Sequence, residues 1–360
     1  MSDIFSPNKK YRLAVWAITP GGSTLAKKIA KNLADVDLHF SSKLGPDFQS
    51  ELEKENIPYS IFKSLSIKLS EVFNDYHGHI FIMSTGIVVR LTAPLVRHKT
   101  IDPAVVVLDE AGRHAISLLS GHIGGGNRLT QSVASLTGAD PVITTATDIN
   151  GVPAIDLLAG QRGLVIENPE AIKIVNMAFL TGRKIALHDP LGLLVDAIPD
   201  SYLLTTGGSD EDVARIFIDD AVTDLPAQTL VLRPKSLVAG MGCNRGTSME
   251  EMKSLLYQVL DEFRLSPASL RGLASIDIKA DEPGLLELAK DLELPVDFYD
   301  KEELNKVKNI KNPSAMVEKH TGAKSVCEAA AILSAKKGKL IVPKHSTRNV
   351  TVAIARIPFT

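Results

Sequence analysis

The sequence has few cysteines, no marked excess of charge of either sign and no long apolar run. Its 360 residues include two cysteines, Cys243 and Cys327, which lie far apart and form no CxxC pair, so a disulfide scaffold and a structural zinc site are excluded. The 40 basic and 42 acidic side chains nearly cancel, so composition does not support nucleic acid or an anionic membrane as the main partner. The apolar run at 11–18 is too short for a membrane span and lacks a signal-peptide pattern. We therefore expect a folded, cytoplasmic protein.

Short apolar runs alternate with helical patterns along the chain, which is typical of α/β units on mainly parallel sheets flanked by helices. The length suffices for two to three domains of about 150 residues each. We predict a multi-domain α/β protein with an N-terminal α/β domain over 1–145, a small middle α/β segment or linker over 146–228, and a C-terminal α/β domain over 229–360. In the middle segment, KIALHD (184–189) and SYLLTTG (201–207) are interpreted as strands.

A glycine-rich loop lies between an apolar run and a helical pattern in LLSGHIGGGNRLTQSVA, residues 118–134. Glycines permit positive φ and the close approach of a ligand, and a helix that begins after them directs free N–H groups at an anion. The spacing matches neither GxGxxG nor a P-loop, so a nucleotide site is not indicated. A plain turn, with Asn127 as the helix cap, is the alternative. The residues expected to contact a ligand here are Gly121, His122, Gly124, Gly125, Gly126, Asn127 and Arg128.

The apolar runs at 79–85, 104–110 and 114–120 are predicted as three successive strands, with polar residues at their carboxyl ends. If these strands are parallel and adjacent, their carboxyl ends converge, and ligands of open α/β sheets bind at such ends. Gly112 makes a hairpin between the second and third strands equally compatible, with an acidic residue facing His114 across a turn. Either arrangement brings a carboxylate near a histidine, as general acid–base chemistry requires, although a plain polar hairpin tip is the alternative. The candidate residues are Ser84, Thr85, Gly86, Arg90, Asp109, Glu110, Arg113 and His114.

A second glycine motif, VAGMGCNRGTSMEEM at 238–252, combines a strand, a Gly-x-Gly turn and a helix start with a capping box. Its spacing is one residue too long for the dinucleotide fingerprint. A tight turn that presents polar side chains and helix N–H groups to a carboxylate or phosphate fits the spacing better. Cys243 is interpreted as a small packed residue, because no histidine partner for a nucleophile is identified. The candidate binding residues are Gly240, Gly242, Asn244, Arg245, Gly246, Thr247 and Ser248.

Seven blocks of the sequence form one ordered pattern: STGIVVRLTAP, DEAGRHAISLLSGHIGGGN, LTGADPVITTATDINGVPAIDLLA, VAGMGCNRGTS, LASIDIKADEPGLLELA, SVCEAAAIL and TVAIAR. Together they resemble the cobalamin biosynthesis protein CbiG family, the cobalt-precorrin-5A hydrolases, from about Leu13 to Arg356. The resemblance implies a cytosolic enzyme that opens the δ-lactone formed on ring A during ring contraction. It would expel the former C20 carbon with its methyl group as acetaldehyde and yield cobalt-precorrin-5B. The resemblance assigns no role to individual residues.

The implied chemistry suggests roles for the candidate residues. Lactone opening needs a base that activates water and donors that stabilise the developing oxyanion. We predict His122 or His114 as the base and Asp109 or Glu110 as its orienting partner. The backbone amides of residues 124–126 are predicted as oxyanion donors. A macrocycle ringed with carboxylates also needs cationic holders, and the bidentate candidates are Arg90, Arg113, Arg128 and Arg245.

Cobalt would arrive inside the implied substrate, so we expect no separate cofactor and no protein-bound metal. The expected partner is a small corrinoid substrate, with no nucleic acid and no membrane, and a homodimer is left open. One alternative is a non-catalytic carrier of corrinoid intermediates, which would keep the anion-binding loops but would not need the histidines and carboxylates. A nicotinamide-dependent oxidoreductase is the other alternative, but the sequence lacks a correctly spaced GxGxxG with a following acidic residue.

Overall fold

The computed structural model describes residues 12–54, 58–98, 101–122, 124–204, 213–308, 310–313 and 325–358. These residues form three β-sheets, and the chain divides into two compact units. The first unit is Met1–Gln161 with Phe179–Thr181, and the second is Arg162–Ala178 with Gly182–Thr360. Helices flank mainly parallel sheets, so the predicted α/β class is confirmed.

The first unit contains a seven-stranded sheet of order β3-β2-β1-β4-β5-β6-β7. All neighbouring strands are parallel except β5 and β6, which form an antiparallel pair. The elements are β1 (Leu13–Ala17), α1 (Pro20–Asn32), β2 (Val36–Ser41), α2 (Gly45–Lys54), β3 (Tyr59–Phe62), α3 (Leu65–Val72), β4 (Gly78–Ile82), α4 (Thr85–Thr92), β5 (Ala104–Leu108), β6 (His114–Leu119), α5 (Gly126–Thr137), β7 (Asp140–Val142), α6 (Ala146–Asn150) and α7 (Ile155–Gln161).

Local sequence explains where these elements begin and end. Strands β1 and β5 are continuous apolar runs and, like β4, they are buried at every position, as expected for strands covered on both faces. The Thr19 hydroxyl caps α1 by accepting a hydrogen bond from the Gly22 N–H, and Pro20 occupies the first turn, where its missing N–H is harmless. Helix α5 ends at Gly138, whose φ of +84° favours glycine.

A cluster of buried aromatic and histidine side chains lies on one face of this sheet. The indole of Trp16 stacks on His39 at 4.0 Å between ring centroids and donates its N–H to Nδ1 of His79 at 3.1 Å. Nε2 of the fully buried His79 lies 3.0 Å from the carbonyl oxygen of Phe73. Because Nδ1 accepts from the indole, Nε2 carries the proton of His79 and donates it to that carbonyl.

The second unit contains two sheets, of order β8-β11-β10-β9 and β14-β13-β12-β16-β15. Strands β9, β10 and β11 are parallel, as are β12, β13 and β14, whereas β8, β15 and β16 form antiparallel pairs. The elements are β8 (Val165–Ile166), α8 (Ile172–Thr181), β9 (Ile185–His188), β10 (Ala214–Ile218), β11 (Leu230–Arg233), β12 (Leu237–Cys243), α9 (Met249–Glu262), β13 (Leu270–Ile276), α10 (Pro283–Asp291), β14 (Val296–Tyr299), α11 (Lys301–Asn305), α12 (Cys327–Ser334), β15 (Lys339–Ser346) and β16 (Val350–Arg356).

One strand prediction in the middle segment is wrong. Asp200–Tyr202 form a 3₁₀ turn, and Leu203 makes only an isolated bridge to Ile185, while residues 205–207 lie outside the described part of the chain. The strand that pairs beside β9 is β10, which has acidic residues before it at 210–212 and after it at 219–220. The sequence pattern did not indicate this strand, because acidic residues flank its apolar run. The burial of residues 214–218 comes from their place in the sheet and not from an alternating apolar pattern.

The core of the last sheet depends on one glycine and one buried carboxylate. A Cβ atom at Gly240 would lie 1.8 Å from the carbonyl oxygen of Cys327, so this glycine allows α12 to pack directly on β12. The Glu328 side chain is fully buried and accepts hydrogen bonds from the backbone N–H groups of Lys311, Asn312 and Lys344 and from the Asn312 amide. Burial alone would raise the pKa of Glu328, but these donors outweigh it and hold the pKa below its usual value.

Candidate active site

The β5–β6 hairpin separates the predicted site residues of the first unit into two groups. Leu108 pairs with Ala115 and Val105 with Leu119, so β6 runs opposite to β5. The carboxyl end of β6 therefore lies at the other edge of the sheet from the carboxyl ends of β4 and β5. The expectation of three converging strand ends is wrong, and the hairpin alternative is correct. The predicted pairing of His122 with Asp109 or Glu110 is also wrong. The two acidic residues lie at the turn of the hairpin, whereas His122 follows the far end of β6.

At the first edge, Asp109 closes the hairpin turn. Its Oδ2 atom accepts the backbone N–H of His114 at 2.7 Å and lies 3.5 Å from Nδ1 of the exposed His114 ring. Burial alone would raise the pKa of Asp109, but the N–H groups of the turn hold it below its usual value. Glu110 is exposed and lies against the start of α1, where a Cβ atom at Gly21 would be 2.8 Å from its Oε1. The bonds of Asp109 are those of a structural turn residue.

The same edge holds Ser84, Thr85 and Gly86, which follow β4 and open α4. The order β3-β2-β1-β4 makes the gap between β1 and β4 a topological switch point, where ligands of open α/β sheets bind. These three residues belong to the predicted site, whereas residues 19–22, which follow β1 and open α1, were predicted as a turn but not as part of a site. Arg90 is exposed and donates to the Gly86 carbonyl oxygen at 3.3 Å, and Arg113 is exposed at the hairpin. Substrate binding by this group stays a prediction.

At the second edge, His122 lies between two aspartates that sequence reasoning missed. Its Nδ1 atom is 3.2 Å from Oδ2 of Asp156, and its Nε2 atom is 3.2 Å from Oδ2 of Asp148. The hydroxyl of Thr147 lies 3.0 Å from the same Nε2. The His122 side chain is 15% exposed, Asp156 is 7% exposed and Asp148 is 30% exposed, so the cluster is buried on the Asp156 side and open on the Asp148 side.

Asn127 fixes the open aspartate to the sheet. Its side-chain amide donates to Oδ2 of Asp148 at 2.9 Å and to the Thr145 hydroxyl at 3.0 Å, while its oxygen accepts from the Ser117 hydroxyl at 2.7 Å. The helix cap is Gly125, with φ of +80°, so the interpretation of Asn127 as a cap is wrong. Asn127 instead lies inside the first turn of α5 and joins β6, α5 and α6.

The two aspartates stabilise the protonated imidazole. The hydrogen bond to Asp156 raises the pKa of His122 above its usual value, Asp148 adds to the rise, and partial burial opposes it. A neutral ring could donate to one carboxylate only, whereas the imidazolium donates to both. The geometry therefore favours His122 as a proton donor at rest, which differs from the predicted role as a free base.

The glycines of the loop serve close packing. Cβ atoms at Gly121, Gly124 and Gly126 would lie 2.6, 2.4 and 2.7 Å from atoms of Asn127, Ser120 and Leu119, respectively. The amides of Gly125 and Gly126 donate to the carbonyl oxygens of His122 and Ser120 at 2.8 and 2.9 Å. These two amides are thus already bonded, and their predicted role as oxyanion donors is wrong. Arg128 is exposed on α5, with a guanidinium nitrogen beside Gly125.

In the second unit, the predicted Gly-x-Gly turn is wrong, because Gly240 and Gly242 lie within β12. The turn is formed by Asn244, Arg245, Gly246 and Thr247, and Ser248 caps α9 by accepting the N–H of Glu251 at 3.3 Å.

Arg245 pairs with Asp281 at 2.5 Å and donates to the Ile278 carbonyl oxygen at 2.7 Å. Gly246 donates its N–H to the buried Glu282 at 2.7 Å. Asn244 bonds to Asn349, and Thr247 bonds back to the Asn244 carbonyl oxygen. Ligand binding by this turn stays a prediction.

Burial raises the pKa of the Cys243 thiol, which suits the interpretation of a packed residue. In the described part of the chain, no group of three or more His, Cys, Asp or Glu side chains is arranged to hold a metal ion. None of the described helices combines the length and the apolar character needed to cross a membrane.

Three family models match the chain in succession. The N-terminal model of cobalamin synthesis G matches residues 68–148, the cobalamin biosynthesis central region matches 153–234, and the C-terminal model of cobalamin synthesis G matches 237–355. A cobalt-precorrin-5A hydrolase from Priestia megaterium is 34% identical over 96% of this chain and 95% of its own length.

The chain belongs to the cobalamin synthesis G family. A cobalt-precorrin-5A hydrolase from Salmonella typhimurium is 35% identical over 96% of this chain and 98% of its own length. Among solved structures, a cobalamin biosynthesis protein G homolog from Sulfolobus solfataricus is 21% identical and covers 96% of this chain and 97% of its own, with a TM-score of 0.35, too low for a comparison of folds.

The matched regions of this family include every residue of the His122 cluster. His122, Asn127 and Asp148 lie in the N-terminal match, and Asp156 lies in the central match. The turn after β12 lies in the C-terminal match.

Proposed function

We propose that this chain is a cobalt-precorrin-5A hydrolase of anaerobic cobalamin biosynthesis. It opens the ring-A δ-lactone of cobalt-precorrin-5A and releases the former C20 carbon with its methyl group as acetaldehyde, which leaves cobalt-precorrin-5B. The observation that carries the proposal is the 34–35% identity, over nearly the full length of both chains, to proteins named cobalt-precorrin-5A hydrolase.

The His122 cluster suits the proton transfers that this reaction needs. Ester hydrolysis requires removal of a proton from the attacking water and delivery of a proton to the departing oxygen, and a histidine beside an accessible carboxylate offers both functions. After hydrolysis, loss of the carbinol O–H proton allows the adjacent carbon–carbon bond to break, with its electron pair passing into the macrocycle as acetaldehyde leaves. A partly exposed acid–base pair therefore supports the proposal.

The remaining assignments follow from the substrate. Cobalt is carried by the macrocycle, so the chain needs no metal or cofactor of its own. Carboxylate groups around the ring need cationic partners, and we assign this role to the exposed guanidinium group of Arg128, which lies on α5 beside the loop that carries His122. We place the reaction in the cytoplasm, with the corrinoid as the partner and with neither nucleic acid nor membrane.

An anaerobic incubation with cobalt-precorrin-5A tests the proposal. The wild-type protein should release acetaldehyde, trapped and quantified by derivatisation, and the mass of the corrinoid should fall accordingly. His122→Ala should reduce the rate about 10²–10⁴-fold, whereas the control His188→Ala, an exposed histidine of the second unit, should retain it. Binding of the macrocycle by the wild-type protein without acetaldehyde would contradict the proposal and indicate a carrier.

A further inference from the structure

The two aspartates beside His122 differ in what they can reach. Asp156, in the first turn of α7, is 7% exposed and lies beside Nδ1 of the ring, whereas Asp148, on α6, is 30% exposed and lies beside Nε2. A substrate that approaches from solvent can therefore contact Asp148 and the Nε2 edge of His122 but not Asp156. Asp148 and His122 can therefore touch the reacting atoms, whereas Asp156 can act only through His122.

The oxygen atoms of Asp148 also differ. Its Oδ2 atom accepts from Nε2 of His122 at 3.2 Å and from the Asn127 amide at 2.9 Å. Among the described residues, Oδ1 of Asp148 has no hydrogen-bond partner. Oδ2 thus fixes the carboxylate in place, and Oδ1 is left to accept a hydrogen bond from water.

We propose that Asp148 is the base, that protonated His122 is the acid, and that Asp156 is a positioning residue that keeps His122 protonated. The inference rests on the proposed function, because it describes lactone opening at this site. Asp148 and Asp156 are the charged groups that face the ring. The raised pKa of His122 agrees with the geometry, since both ring nitrogens have a carboxylate acceptor.

The proton transfers balance within the cluster. A water molecule gives one proton to Oδ1 of Asp148 while its oxygen bonds to the lactone carbonyl carbon. The bond between that carbon and the ring oxygen then breaks, and the departing alkoxide takes the proton from Nε2 of His122. A water molecule then relays the proton from Oδ1 of Asp148 to Nε2 of the neutral imidazole, so the resting state is restored.

The test measures anaerobic acetaldehyde release against pH for the wild type and four variants. Asp148→Asn keeps the shape of the side chain but removes the base, so kcat should fall about 10²–10⁴-fold across the pH range, while binding of cobalt-precorrin-5A, measured by absorbance titration, changes less than about threefold. Asp156→Asn removes the charge beside Nδ1, so His122 should lose its proton at lower pH and the alkaline limb of the profile should move to lower pH. Asp140→Asn, an exposed aspartate at the start of β7, is the matched control and should match the wild type.

The outcomes distinguish this inference from the proposed function. If the wild-type protein releases no acetaldehyde, the proposed function fails and the variants are not needed to decide it. If the wild type is active and Asp148→Asn retains its kcat, the role of Asp148 as the base is refuted. If Asp156→Asn is less active but its alkaline limb stays in place, Asp156 has only a structural role. Asp148→Glu keeps a carboxylate and should recover part of the lost rate, which separates loss of the base from loss of the fold.

Discussion

Acidification should destabilise the first unit through the buried His79. Its Nδ1 atom accepts the indole N–H of Trp16 at 3.1 Å, and its Nε2 atom donates to the Phe73 carbonyl oxygen. A proton added to Nδ1 would point at another donor in a site without solvent. The folded chain therefore resists protonation, whereas the unfolded chain does not.

The size of the effect follows from the pKa. Burial lowers the pKa of His79 from its usual 6.5 to about 4 in the folded chain, although the Phe73 carbonyl opposes this change. The folded pKa lies below the unfolded one, so stability is constant above about pH 7, falls as the pH drops from about 6.5 to about 4, and is constant again below that range. Each pH unit in this window corresponds to about 1.36 kcal/mol, so His79 alone should remove about 3 kcal/mol between pH 7 and pH 4.

Urea unfolding followed by tryptophan fluorescence measures this loss. The chain has one tryptophan, Trp16, and it contacts His79, so the signal reports on this cluster. His79→Gln removes the titrating group and should be less stable than the wild type at pH 7 by about 1–3 kcal/mol. By pH 4 the difference between the two proteins should shrink or reverse by about 3 kcal/mol.

A second variant separates titration from packing. Phe73→Leu disturbs the ring that stacks on His79 at 5.1 Å but keeps the histidine and the Phe73 backbone carbonyl position. Its stability should be lower than that of the wild type by a similar amount at every pH. A pH-independent difference between the wild type and His79→Gln would refute the reasoning, because it would mean that His79 does not resist protonation in the folded state.

Three further predictions concern the second unit. Glu328→Ala removes the buried acceptor of three partly buried backbone N–H groups and should reduce the free energy of unfolding by about 1–3 kcal/mol at pH 7. The difference should diminish as the pH falls below the usual glutamate pKa of 4.5, and the exposed Glu287→Ala should have little effect in urea unfolding. Gly240→Ala should lower the melting temperature markedly, since its Cβ atom would meet a helix carbonyl at 1.8 Å, whereas Gly272→Ala, with its nearest atom at 3.4 Å, should change it little in a thermal scan. The Cys327 thiol, whose pKa burial raises to about 11, should react with Ellman's reagent only after unfolding, and rapid reaction in the native protein would contradict its burial.

Much of the fold could be predicted from the sequence because the responsible signals are local. The apolar run at 237–243 forms β12, and Pro20 opens α1 directly after the Thr19 cap. Gly138 ends α5 as its position predicts. Each of these features depends on residues within a few positions of one another, so no knowledge of distant contacts is needed. The resemblance in ordered sequence blocks likewise indicated the family that the comparisons show.

The site was harder to predict, because its geometry depends on strand direction and on distant partners. Gly112 allowed either a hairpin or a parallel crossover, and only the pairing of β5 with β6 decides that His122 and Asp109 lie at opposite edges. Asp148 and Asp156 follow His122 by 26 and 34 positions and belong to short helices without a distinctive pattern. The sequence block TATDINGVPAID contained both aspartates, and a search for carboxylates after the parallel strand β7 would have found them.

By itself, the sequence determined the α/β class, the ends of a few elements and the family, since apolar periodicity, helix caps and ordered motifs each depend on residues close together in the chain. The tertiary structure decided which polar residues meet. It placed His122 between Asp148 and Asp156. It also packed the loop glycines closely against their neighbours and used two of their amides in internal hydrogen bonds. The physical reason is that the protonation of a histidine depends on the charges and burial around it, and those are set by chain segments that fold back from far along the sequence.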